Sequence, residues 1–233
     1  MSSDDQHHTP PVSPVNALPP VVVALFLVII GVEAMFSFGE QGLIGGPAAV
    51  GWRNNAIQAY AFNSDVMAWM LGNGIYPAEH LQRFVTHIFI HGGFTHALFA
   101  GAMVLALGKF VGDVFNQWAT LALFLISSVV GAVVYGLIAP EQPWLYGAFP
   151  GVYGLIGGFT YLMWLKLGQM GAQQFRAFTL IGFLLGIQLV FGLLFGGNSW
   201  WLADVAGFAA GFCASFILSP GGFHKLREKL KRQ

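Results

Sequence analysis

Charge is scarce in this chain: Asp, Glu, Lys and Arg make up 9% of 233 residues, against 56% hydrophobic and a mean hydropathy of +0.66. A globular surface carries roughly a quarter to a third charged residues. A soluble domain is therefore excluded, and most of the chain must face lipid or other helices. Net charge is missing too, at +0, which removes any general electrostatic case for binding nucleic acid. Cysteine is nearly absent. Cys213 stands alone in an apolar run, so no internal disulfide can form and no oxidising compartment is indicated. Residues 1–16 contain no Lys or Arg, unlike the basic start of a signal peptide, and hold Asp4, Asp5, Pro10, Pro11 and Pro14. We read 1–16 as a disordered tail.

What the chain does have is long apolar blocks. A spanning helix needs about 20 mostly apolar residues, and such blocks lie at 18–38, 94–111, 118–139, 151–167, 177–195 and 202–218. Prolines and polar clusters at 140–143, 168–176 and 196–200 separate them, which favours loops over continuous helix. The expected fold is an all-α membrane protein: a six-helix membrane domain over 17–219, followed by a basic tail at 220–233. Six spans put both termini on one side. Lys109, Lys166, Arg176, Lys225, Arg227, Lys229, Lys231 and Arg232 fall on that side, with Arg53 and Arg83 opposite. The positive-inside rule then places both termini in the cytoplasm, with the chain expected in a plasma membrane of the bacterial inner-membrane kind. The C-terminal HKLREKLKRQ reads as a positive-inside stop, with binding to anionic headgroups as the alternative.

Residues 39–93 are too polar to span and too apolar to float. Ala56, Ile57, Tyr60, Met67, Trp69, Met70 and Leu71 alternate with Gln58, Asn63 and Asp65, which suits interfacial helices lying on the membrane. Trp52 and Arg53 read as a structural contact, with a recognition surface as the alternative.

Histidines then interrupt the apolar pattern. His87, His91 and His96 lie in the run from Arg83 to Ala100, and polar groups at membrane depth face a protein interior or a water-filled cavity. His87 and His91 have the i, i+4 spacing of a zinc pair. Gly92-Gly93 breaks the helix, however, and neither a cysteine nor a nearby carboxylate completes a ligand set, so no metal and no cofactor are expected. Two glycine ladders follow: Gly147, Gly151, Gly154 and Gly158 open the fourth block, and Ala203, Gly207 and Gly211 run through the sixth. Small residues every three or four positions let two helices pack closely, facing one another.

Together the histidine-rich start of the second block, the Gly147-to-Gly154 start of the fourth and the Ala203, Gly207, Gly211 sixth resemble the rhomboid family of intramembrane serine proteases. The resemblance runs from Arg83 to Gly211. It implies a six-helix core with a membrane-lying first loop and, in the active members, a Ser-His dyad in a cavity open to the non-cytoplasmic side. The family pattern has Gly-x-Ser-Gly in the fourth helix, Ala-His in the sixth and His-x-x-x-x-His-x-x-x-Asn in the second. Registered on that pattern, Phe149 occupies the nucleophile position, Pro150 the following glycine, Asp204 the base position and Ala100 the oxyanion asparagine. His96 alone matches among nucleophile, base and the two oxyanion positions. Phenylalanine cannot attack a carbonyl, and Pro150 suits the first turn of a helix.

The resemblance therefore implies a catalytically silent member, a pseudoprotease that binds transmembrane segments of client proteins and affects their stability or assembly. His91, His96, Phe149, Pro150, Tyr153 and Asp204 are expected to line the client or cavity surface. Two other readings stand beside it. One is an active intramembrane serine-type endopeptidase with a non-standard site, for which Tyr153 and Cys213 are the candidate nucleophiles. The other is proton or solute conduction through Glu33 and Asp204, with Glu33 near the outer end of its helix and within reach of interfacial water. Asp204 is expected to pair with His96, joining the second and sixth helices.

Overall fold

The computed structural model describes residues 17–138, 142–195, 197 and 199–221; the tail at 1–16 and nearly all of the one at 220–233 lie outside the described residues. Helix α1 (Pro20–Glu40) begins with a proline, whose missing N–H is harmless in a first turn. Its buried residues, Val22, Leu25, Ile29, Glu33 and Phe36, recur every three or four positions, so one face meets protein. Leu27, Val28, Met35 and Phe38 are exposed on the rest.

The connection to the next long helix carries α2 (Trp52–Tyr60), the two-residue strand β1 (Phe62–Asn63), α3 (Ser64–Asn73), α4 (Ala78–Leu81) and α5 (Arg83–Thr86). The Asn63 side chain accepts from the Val66 N–H at 3.0 Å and caps α3, which ends at Gly74 in the left-handed region (φ 66). Met67 and Met70 are buried with Phe62 and Tyr135, while Tyr60, Trp69 and Leu71 are exposed. These short helices thus have the one-sided character read from the sequence.

Then come α6 (Phe94–Gly112), α7 (Gln117–Ile138), β2 (Trp144–Leu145), α8 (Phe149–Gln169), α9 (Thr179–Phe195) and α10 (Trp201–Leu218). The long helices agree with the six apolar blocks to within about two residues at each end, and Gln174–Phe178 forms a 3-10 turn before α9. By length and composition α1, α6, α7 and α10 can each cross a membrane. The strands were not legible as such. β1 and β2 pair antiparallel, Phe62 with Leu145 and Asn63 with Trp144, which ties the connection before α6 to the one before α8.

α8 is the centre of the molecule, packed against α6, α7 and α10, and α1 lies on α6. Glycines make the α1–α6 contact possible. A Cβ at Gly101 would stand 2.9 Å from Phe26, one at Gly108 2.8 Å from Val22, and one at Gly112 2.7 Å from Pro19.

Candidate functional site

The turns before α6 and α8 meet at two histidines. His87 lies in a 3-10 turn with Nδ1 3.0 Å from the Arg83 carbonyl oxygen, and its own carbonyl accepts the Gly147 N–H at 2.9 Å. His91 is wholly buried, and its Nε2 accepts the Ala148 N–H at 3.3 Å. An accepting Nε2 puts the proton of the neutral ring on Nδ1, which is buried without a partner among the described residues. Neither ring is on an α-helix, so the i, i+4 spacing of His87 and His91 does not become the helical pair it suggests. Burial pushes His87 down to about 4. Burial, then the neighbouring His96, pushes His91 down to about 3.

His96 is in the first turn of α6, and aromatic rings surround it. Phe149, at the start of α8, stacks on it with centroids 5.1 Å apart and planes 10° apart; Trp200 stacks at 6.1 Å and 21°. His91 meets its edge at 5.1 Å, and Tyr146 packs against Trp200 at 4.8 Å. His96 Nδ1 accepts the Gly92 N–H at 3.3 Å. Gly147 has to be glycine: its φ is 110, and a Cβ would stand 2.8 Å from His96 Cε1.

Asp204 does not pair with His96. Its Oδ2 accepts instead from Gln188 Nε2 on α9 at 2.8 Å, while His96 bonds Gly92 and stacks on two rings. A carboxylate 4% exposed takes a donor from whichever helix supplies one, and α9 does so. Gln188 was missed in the sequence, although it is the only side-chain amide in the apolar block 177–195. Tyr153 and Ala100 are buried in the core cluster, and Pro150 is buried beneath α10.

Glu33 does not reach interfacial water. It is 1% exposed, and its two oxygens accept from Arg53 Nη1 at 2.8 Å and Nη2 at 2.9 Å. Arg53 also donates from Nε to Glu40 at 2.7 Å, from Nη2 to Glu40 at 3.2 Å, and from Nη1 to the His91 carbonyl at 2.6 Å. The Glu33 hydrogen bonds hold its guanidinium above the ordinary arginine range, hence fully charged. The structural-contact reading of Arg53 stands.

The glycine ladders pack, but not simply face to face. Cβ atoms at Gly207 and Gly211 would stand 2.2 Å from the Pro150 and Gly154 carbonyl oxygens, so α10 touches the α8 backbone there. Gly151 and Gly158 look instead at α7, towards Ser128 and Leu123, and Gly154 looks at Ser127. Ala203 lies against Gly131 of α7. The α8 stripe therefore points into the crevice between α7 and α10, and Gly157, beside Phe208 and Phe212, adds to the α10 side.

A family model described as Rhomboid domain matches residues 78–221, more than half of the chain, beginning at α4 and running through α10. No curated protein matches the chain.

Proposed function

The chain belongs to the rhomboid family, in general a family of intramembrane serine proteases, and from that premise we propose that it is a catalytically silent member that binds transmembrane segments of client proteins and affects their stability or assembly. The stack of Phe149 on His96 carries the reading. Acyl transfer needs an activated hydroxyl or thiol, a base within hydrogen-bond reach and donors for the oxyanion. A phenyl ring occupies the nucleophile position and covers His96, the histidine at the retained oxyanion position. Asp204, at the base position, is bound to a glutamine on another helix.

The other readings find less support. Tyr153 is buried in the core cluster, and Cys213 lies three helical turns along α10 from its start, about 18 Å on. Conduction needs a relay, yet Glu33 is bound to Arg53 and Asp204 to Gln188.

In this proposal α8, at about 31 Å, and α9, at about 25 Å, complete six spans with α1, α6, α7 and α10. α8 falls short on hydropathy because its glycine face is turned to protein. The basic residues on the terminal side support cytoplasmic termini in a plasma membrane of the bacterial inner-membrane kind.

Purified protein in liposomes, incubated with a single-span test substrate, should show no cleavage by gel. Phe149→Ser should restore none, and neither should Phe149→Ser with Asp204→His, because Pro150 follows the nucleophile position and Ala100 supplies no oxyanion donor. Time-dependent cleavage by the unmodified protein, blocked by a serine-directed fluorophosphonate, would overturn the proposal.

A further inference from the structure

The connection between α1 and α6 holds a cavity of about 250 Å3 beside α3 and α4, lined by Asp65, Val66, Trp69 and His80. Its walls follow from spacing. Asp65 and Trp69 are i, i+4 on α3 and share one face of that helix, while Met67 and Met70 are turned into the core. His80 adds the wall from α4, meeting the Trp69 ring with centroids 5.9 Å apart and planes 89° apart.

An acid in the first turn of α3 complements the helix dipole. Asp65 has a second feature: its carboxylate is on an exposed residue and has no hydrogen-bond or ion partner among the described residues. Trp69 is 46% exposed, so a ligand can reach both groups from outside. No Lys or Arg is among the lining residues, and the Glu79 carboxylate lies 4.0 Å from His80 Nε2. The cavity therefore favours a cation. A metal ion needs more oxygen ligands than one carboxylate supplies. An ammonium group fits better, because the acid offers its charge and the face of an indole ring attracts a cation within about 6 Å.

Size and surroundings identify the carrier of that ammonium. The cavity falls just under the roughly 300–1,000 Å3 of pockets that enclose whole small molecules. It suits a headgroup whose chains lie elsewhere. Leu71, Ile75, Tyr76 and Leu81, in the same segment, are exposed, and apolar and aromatic side chains on short interfacial helices sit at the boundary of headgroups and acyl chains.

We infer that Asp65 and Trp69 bind the ammonium of a zwitterionic phospholipid headgroup, with its acyl chains over the exposed apolar side chains between Leu71 and Leu81, so that a lipid anchors the connection between α1 and α6. Client binding is not required for it.

The test uses the full chain in detergent, titrated with three probes and followed by native mass spectrometry. They are dioleoylphosphatidylethanolamine, its N-acetyl derivative, which lacks the ammonium, and free phosphoethanolamine, which lacks the chains. The first should bind about 3- to 20-fold more tightly than the second, the range of one exposed cation–π contact with one exposed ion pair. The third should show no measurable binding. Asp65→Asn and Trp69→Leu should each cut the preference about 2- to 5-fold and together abolish it. Binding of the N-acetyl lipid should not weaken, which shows that the variants are folded. Equal affinity for the two lipids in the unmodified protein overturns the inference, and so does a preference that survives in the double variant. Phosphoethanolamine binding as tightly as the lipid would make this a site for a soluble amine and overturns the lipid assignment.

Discussion

α9 and α10 follow one another in the chain and carry the same small-residue spacing, Gly182-x-x-x-Gly186 and Gly207-x-x-x-Gly211, yet only α10 uses it. Cβ atoms at Gly207 and Gly211 would collide with the α8 backbone, whereas at Gly182 and Gly186 nothing lies within 4 Å. In lipid an apolar helix gains no hydrophobic free energy by packing on another, so close backbone approach and polar ties decide which helices pack. The packed side comprises α1, α6, α7, α8 and α10. α9 is docked on it by its first half and tied by a glutamine.

The largest effect that would test this contrast is expected at the charged end of the packed side. Arg53→Ala strands Glu33 without its buried partner and should cost about 3–5 kcal/mol in detergent unfolding. Hydrogen exchange should rise across α1, α6, α7, α8 and α10, and less in α9, which opens locally with few buried contacts. A uniform rise that includes α9 would break the comparison. Next in size, Gly207→Leu should cost about 3 kcal/mol by overpacking against Pro150, while Gly186→Leu stays within about 0.5 kcal/mol. Equal losses in a thermal unfolding series would show that both glycines are packed.

Acid sharpens the contrast because its target is on the packed side. His87 titrates at about 4 when folded, below the ordinary value of 6.5, so the unfolded chain binds the extra proton. Its stability is full above pH 6.5 and is lost as pH falls towards 4, by on the order of 1 kcal/mol per pH unit. His87→Gln should lower the slope of an unfolding series between pH 7 and 4, leaving the share that His91 contributes, and an unchanged slope would assign the loss elsewhere. The smallest effect is expected from Gly186→Ala, a gain below about 1 kcal/mol from helix propensity in open space. A clear loss in the same assay would place an unseen neighbour against α9.

The spans were legible because apolar length is a local property of sequence, and residues 94–112 or 201–218 need no partner to be read. Partnership was not legible. Glu33 reads as a residue near a helix end because the arginine that holds it is 20 positions away in a polar loop. The Asp204–His96 pair failed because Phe149 and Trp200 stack on the imidazole, which no spacing rule reveals. Gln188 could have been singled out as the lone amide of an apolar helix, but its match to Asp204 required knowing which residues of α9 and α10 come together. For the glycines, spacing gave the stripe, and only the third helix α7 decided which way it points.

Arg53 commits all five of its N–H groups, to Glu33, Glu40 and the His91 carbonyl. Lysine, with three donors on one atom, could not replace it. The consequence concerns the order in which a growing chain can settle. Both acids are synthesised before Arg53, and the carbonyl it also needs comes 38 residues after it. While the chain ends short of residue 91, the guanidinium can hold both acids of α1 but lacks its fifth acceptor. The clasp is thus complete only once the turn before α6 has been made, and until then one guanidinium N–H is left without its acceptor.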